Sequence, residues 1–215
     1  KSVKEKDVIV VSTYLGKDEF IIGQILKGKK FYSHKKNNDL KIFDLDNSKI
    51  FSKKNFQIFN SLIPQQSTLS PVHKRKNFIL SKYFGYELDI SLKNLSEISI
   101  EIMCMEWLRS NFAPREYKIK SQLLKIGGNY AKVDIYGFTE NTEKIAVQVS
   151  FTDNLKVLDK KASDLLSFNA DKYVIFCSIN HYFNENIKVI TLEKVFEDFK
   201  NDDFYLKMLK ELINS

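Results

Sequence analysis

The stretch Lys132–Ser150, KVDIYGFTENTEKIAVQVS, decides the fold. Two runs of period-two alternation, rich in β-branched and aromatic residues, flank the polar TENTE; this predicts a hairpin. In the second run Ile145, Val147, Val149 and Phe151 are all apolar, so that face is expected to be packed, with Lys144, Ala146, Gln148 and Ser150 on the other. In the first run Lys132, Asp134 and Tyr136 alternate with Val133 and Ile135. Asp is a poor strand former, so a carboxylate in mid-strand calls for a reason. Antiparallel neighbours lie close enough to bring Asp134 and Gln148 onto one group. A carboxylate oxygen and an amide oxygen are both hard ligands suited to Mg²⁺.

The helix expected before this hairpin is NLSEISIEIMCMEWLRSNF, residues 94–112, with Leu95, Ile98, Ile102, Met105, Leu108 and Phe112 as its apolar stripe. Asn94 followed by Glu97 resembles a capping box, and Pro114 marks the end. Glu101 falls on the apolar side, where an acid is costly unless it is paired or binds a cation. Glu97 lies one turn earlier, and Glu106 is expected at the surface beside Arg109. EYKIKSQLLKI then predicts a strand and Gly127-Gly128-Asn129 a turn. After the hairpin come a helix (NLKVLDKKASDLLSF, with Leu155, Leu158, Ala162, Leu165 and Leu166 on one side), a covered strand (KYVIFCSI), a short strand (IKVIT) and helices at LEKVFEDF and YLKMLKELI. Three strands in a meander followed by strands reached through a helix predict an α/β fold, a mixed central sheet flanked by helices on both faces.

A helix glutamate, an aspartate on the second strand and Q-V-S on the third resemble the PD-(D/E)XK nuclease superfamily, over about residues 94–195. The resemblance implies a restriction-endonuclease-like fold and a Mg²⁺-dependent (or Mn²⁺-dependent) DNA endonuclease in a restriction or defence setting. Asp134 and Gln148 would hold the metal and Glu101 complete its shell; Gln148 takes the place of the E-X-K glutamate. Ser150 stands where the superfamily has its lysine. Lys156 or Lys160 on the next helix would then supply the cation, or the metal alone would activate water. The alternative is a non-catalytic DNA-binding or complex-assembly subunit on a degenerate nuclease fold. Two carboxylates and one amide carry two negative charges, which suits one ion completed by substrate phosphate rather than a tight pair.

The first third is of another character. Residues 1–80 hold sixteen Lys/Arg against seven Asp/Glu, a net +9, while residues 81–215 hold eighteen against twenty. Short strands such as DVIVVSTYL and EFIIGQIL, with Asn37-Asn38-Asp39 as a turn, predict a small basic β-rich domain over residues 1–63. Residues 64–80, with Pro64, Pro71 and the run His73-Lys74-Arg75-Lys76, read as a basic linker, and residues 81–215 as the α/β domain. Lys29, Lys30, Lys35, Lys36, Lys74, Arg75 and Lys76 are the candidate nucleic-acid contacts, with Phe31, Tyr32 and Phe43 as a stacking platform. DNA is the expected partner, with RNA as the other polyanion, and a homodimer or a larger complex as the assembly. No apolar run is long enough to cross a bilayer, and Cys104 and Cys177 sit apart in apolar segments as buried thiols, which points to the reducing cytoplasm. His34, His73 and His181 have no metal-ligand spacing with either cysteine.

Overall fold

Alternation in the first third and longer apolar runs in the rest produce separate sheets in the computed structural model, which describes residues 8–13, 19–28, 32–34, 37–42, 44–52, 76–123 and 133–214. The chain divides into two compact units after Asp89. In the first, β1 (Val8–Thr13), β2 (Glu19–Ile25) and β5 (Asp46–Ser52) form an antiparallel sheet with β2 at the centre, and β3 (Tyr32–His34) pairs with β4 (Asn37–Ile42). Asn37-Asn38-Asp39, expected to turn, lies within β4.

Residues 76–80, expected as the end of a linker, open helix α1 (Lys76–Phe84). Phe78, Ile79 and Tyr83 are buried on it, and Ile79 and Tyr83 join Phe20 and Ile22 of β2 in one cluster. A lone three-stranded sheet needs such a cover to bury its apolar face. Tyr83 ties the helix end to β5: its hydroxyl donates to Asn47 O (3.0 Å), and its own carbonyl accepts from Lys49 Nζ (2.6 Å). Gly85, at φ +78°, closes α1 through its N–H to Ser81 O (2.7 Å), the left-handed C-terminal cap that glycine adopts without strain. The basic run before Lys76 disguised this helix as linker.

The second unit holds α2 (Glu97–Arg109), β6 (Ile119–Gln122), β7 (Ile135–Thr139), β8 (Lys144–Ser150), α3 (Leu155–Leu166), β9 (Lys172–Cys177), β10 (Lys188–Thr191), α4 (Leu192–Lys200) and α5 (Asp203–Asn214). The sheet order is β10-β9-β8-β7-β6; β6, β7 and β8 form an antiparallel meander, and β8, β9 and β10 run parallel. Helices cover both faces. Leu158, Ala162 and Leu165 of α3 pack with Ala146, Ile175 and Cys177. Trp107 of α2 meets Phe176 edge-on at 5.9 Å between ring centroids, and Phe176 points away from Ile175 and Cys177 by strand alternation. The expected general architecture is therefore present: a small antiparallel N-terminal sheet and a larger mixed sheet flanked by helices.

Two details of α2 differ from expectation. Its N-cap is Ser96, whose hydroxyl accepts from Ser99 N–H (3.1 Å), while Asn94 ends a short 3₁₀ turn. Its buried stripe is Ser99, Ile100, Met103, Cys104, Trp107 and Leu108; Ile98 and Phe112 are exposed. Ser99 goes inside because its hydroxyl donates to Leu212 O of α5 (3.3 Å), so a small polar residue holds a core position. Ser96→Ala is expected to lower unfolding free energy by about 1 kcal/mol through loss of the cap. Asn94→Ala, outside the cap, is expected to change it by less than about half as much. Chemical denaturation of both variants checks the assignment.

Candidate functional site

Asp134 lies at a bend immediately before β7, not inside a strand. Val133 and Tyr136, three residues apart, both pack against the α3 cluster, so strict alternation is broken between them. The bend turns the Asp134 side chain toward the β8 ladder. Its backbone N–H donates to Val147 O (2.8 Å). Its Oδ2 accepts from Val149 N–H (2.7 Å) and from Gln148 Nε2 (2.5 Å). The carboxylate thus replaces the main-chain acceptor that β7 would have offered Val149 had it continued. That is the physical reason for an acid at this place: it ends one strand by completing the ladder of the next.

Gln148 is 8% exposed. It lies on the face that α3 covers, together with Ala146, so this side of the sheet is packed rather than solvated as the alternation alone suggested. With Oδ2 and Nε2 engaged, Asp134 Oδ1 and Gln148 Oε1 make no hydrogen bond among the described residues.

Glu101 is half-buried on α2, flanking the stripe that holds Cys104. The Cys104 thiol is pushed well up by burial, then by the charge of Glu101 and that of Asp134. A thiol held up in this way stays protonated and unreactive. Glu97 is exposed, and Glu106 pairs with Arg109 at 3.7 Å. Among the described residues no group of three or more His, Cys, Asp or Glu side chains is placed to hold a metal ion.

Ser150 is fully buried, and its Oγ has no hydrogen-bond partner among the described residues. A lysine here would begin beneath α3 rather than in the open. Lys156 and Lys160 are exposed. At 100° per residue both fall nearly opposite Leu158, Ala162 and Leu165, so neither is on the side of α3 that meets the sheet. Lys161 is on that side: it is half-buried, and its Nζ donates to Val149 O (3.4 Å). Sequence reasoning passed it over, although its spacing of three after Leu158 and four before Leu165 marks it as a flank of the buried stripe.

Lys29, Lys30, Lys35, Lys36, Lys74, Arg75, Phe31, Phe43, Lys132 and the expected turn Gly127-Gly128-Asn129 lie outside the described residues, as do the side chains of Tyr32 and His34. Lys76 is exposed at the start of α1. Among the described residues no helix is long and apolar enough to cross a membrane. Comparison with protein-family models, curated proteins and solved structures gave no match.

Proposed function

We propose that the chain is a Mg²⁺- or Mn²⁺-dependent DNA endonuclease of PD-(D/E)XK type, acting in the cytoplasm in a restriction or defence setting. The observation that supports this most is the contact of Asp134, just before β7, with Gln148 of β8. Asp134 and Gln148 would hold the metal through the oxygens not used in their mutual contact, and Glu101 would bind it directly or through water. A bound divalent cation polarises the scissile phosphate and lowers the pKa of an attacking water. The protein's own part is positional. Val149 N–H and Gln148 Nε2 fix the Asp134 carboxylate, and the packing of Ala146 and Val147 fixes the strand that carries Gln148. The basic first third would grip the phosphate backbone of the DNA.

A second reading has its own support. Asp134 Oδ2 is satisfied within the protein, and Ser150 occupies the usual lysine position. Both favour a DNA-binding or assembly subunit that does not cut. Incubating the protein with supercoiled and linear plasmid in Mg²⁺, Mn²⁺ or EDTA separates the two. The endonuclease is expected to nick or linearise DNA with either metal and not in EDTA. DNA binding without cleavage of any substrate in either metal would establish the second reading instead.

A further inference from the structure

Just past α2 and at the start of α5, a chain of touching aromatic rings runs from the core to solvent. Phe199 of α4 is fully buried and stacks on Tyr205 at 4.1 Å between ring centroids. Phe112 closes on both, at 6.1 Å from Phe199 and 5.9 Å from Tyr205. Phe204 meets Tyr205 edge-on at 5.1 Å and is itself 72% exposed, and Phe112 is 37% exposed. The backbone beneath the outer rings is fixed: Asp202 Oδ1 accepts from Phe204 N–H (2.9 Å) and from Tyr205 N–H (3.1 Å). Arg109 and Arg115 stand three residues to either side of Phe112, and they are two of only three arginines in the chain's 34 Lys and Arg. Aromatic rings and arginine are enriched in protein–protein interfaces, and lysine is depleted there. Both arginines are exposed. Their own carboxylates, Glu106 at 3.7 Å and Glu140 at 4.0 Å, lie beyond hydrogen-bond distance, so the guanidinium donors are not spent on them.

We infer that this face binds a second copy of the chain, through a two-fold interface centred on Phe204 and Phe112. The inference is independent of the nuclease reading. Charge selects the occupant. Glu106, Asp202 and Asp203 stand against Arg109 and Lys207, so the face has no excess of positive charge with which to hold a polyanion. The same mixture is complementary to itself. In a two-fold contact one patch serves both sides, and Arg109 of one copy meets a carboxylate of the other while the rings pack at the centre. Withdrawal of exposed phenylalanine from water drives the association, and the charged rim sets partner and orientation.

Sedimentation velocity of the full chain over about 1–100 μM tests this. The parent is expected to pass from monomer to dimer across that range. Phe204→Glu is expected to raise the dimer dissociation constant about 30-fold or more, the loss of one hot spot. The new acid falls in the first turn of α5, where the helix favours it, so the fold is kept. Phe204→Ala, which adds no charge, is expected to act in the same direction, as is Arg109→Glu. Phe183→Glu replaces a ring that is 77% exposed between β9 and β10, and is expected to leave the dimer unchanged. A parent that stays monomeric throughout overturns the inference. So does a dimer whose dissociation constant Phe204→Glu and Phe204→Ala leave within about 3-fold, or one that Phe183→Glu weakens equally, which marks indiscriminate association of exposed rings. A monomeric parent whose DNA affinity falls in Phe204→Glu assigns the face to nucleic acid and also overturns it. Absence of DNA cleavage leaves the inference standing.

Discussion

If the proposed endonuclease reading holds, Asp134→Asn is expected to abolish metal-dependent cleavage while leaving the fold close to intact. The two effects separate because the two oxygens of Asp134 have different employment. Oδ2 accepts Val149 N–H and Gln148 Nε2; an asparagine oxygen in that place accepts both. The amide nitrogen then stands where Oδ1 stood. It has no lone pair for a cation, and one of the two negative charges in the donor set is gone. Loss of several kcal/mol of charge stabilisation corresponds to a cleavage rate lower by about 10³-fold or more. Unfolding free energy is expected to stay within about 1 kcal/mol of the parent. Alanine at the same position is expected to lose cleavage equally. It also strands a buried N–H at Val149 and an amide at Gln148, at a cost of about 1–3 kcal/mol for each group left unpaired. Cleavage assays and denaturant midpoints on both variants give the comparison. If Asp134→Asn cuts within 10-fold of the parent, the carboxylate serves only to finish the strand.

That dual employment explains what could and could not be read from residues alone. The order of helices and strands in the second unit follows from periodicity, and KYVIFCSI as a covered parallel strand follows from its unbroken apolar run. The proximity of Asp134 and Gln148 follows from hairpin register, since Ile135 pairs with Val147. The bend at Asp134 does not, because alternation in the sequence runs straight through Val133, Asp134 and Ile135. Only the carboxylate's substitution for a ladder carbonyl shows that the strand begins one residue later. On α2 the stripe drawn through Ile98, Ile102 and Met105 misses the buried face, because Ser99 is hidden by a hydrogen bond to a helix more than a hundred residues away in sequence. On α3 the helical wheel already sets Lys161 inward and Lys156 and Lys160 outward, as the structure has them.

The largest effect on stability is expected from a methyl group at Gly137. This glycine is in β7, opposite Gln122 of β6, beside a register irregularity between Ile119 and Ser121. A Cβ here would stand 2.3 Å from Ser121 O and 3.2 Å from Gln122 Cα. Both obstacles are backbone, so no side-chain rotation relieves the clash; the strands must separate. Separation breaks the edge pairing of β6, including the Leu123 N–H to Tyr136 O bond of 2.9 Å, and leaves ladder groups of β7 without partners. Overpacking costs about 1–3 kcal/mol and occasionally more, and stranded main-chain groups add to it. Gly137→Ala is therefore expected to lose about 3 kcal/mol or more, or roughly 6–12 °C in Tm for a chain of this size. Gly85→Ala gives the contrast: a Cβ there meets open space, and the cost is only the left-handed φ of +78°, about 1 kcal/mol. Because Gly137 sits three residues after Asp134, the alanine variant is also expected to loosen the bend that presents the carboxylate. On the proposed endonuclease reading, its cleavage should therefore fall at temperatures where the molecule is still folded. Thermal unfolding within 2 °C of the parent would mean that β6 is free to shift, and that the irregularity at Ile119–Ser121 already absorbs the space a side chain needs.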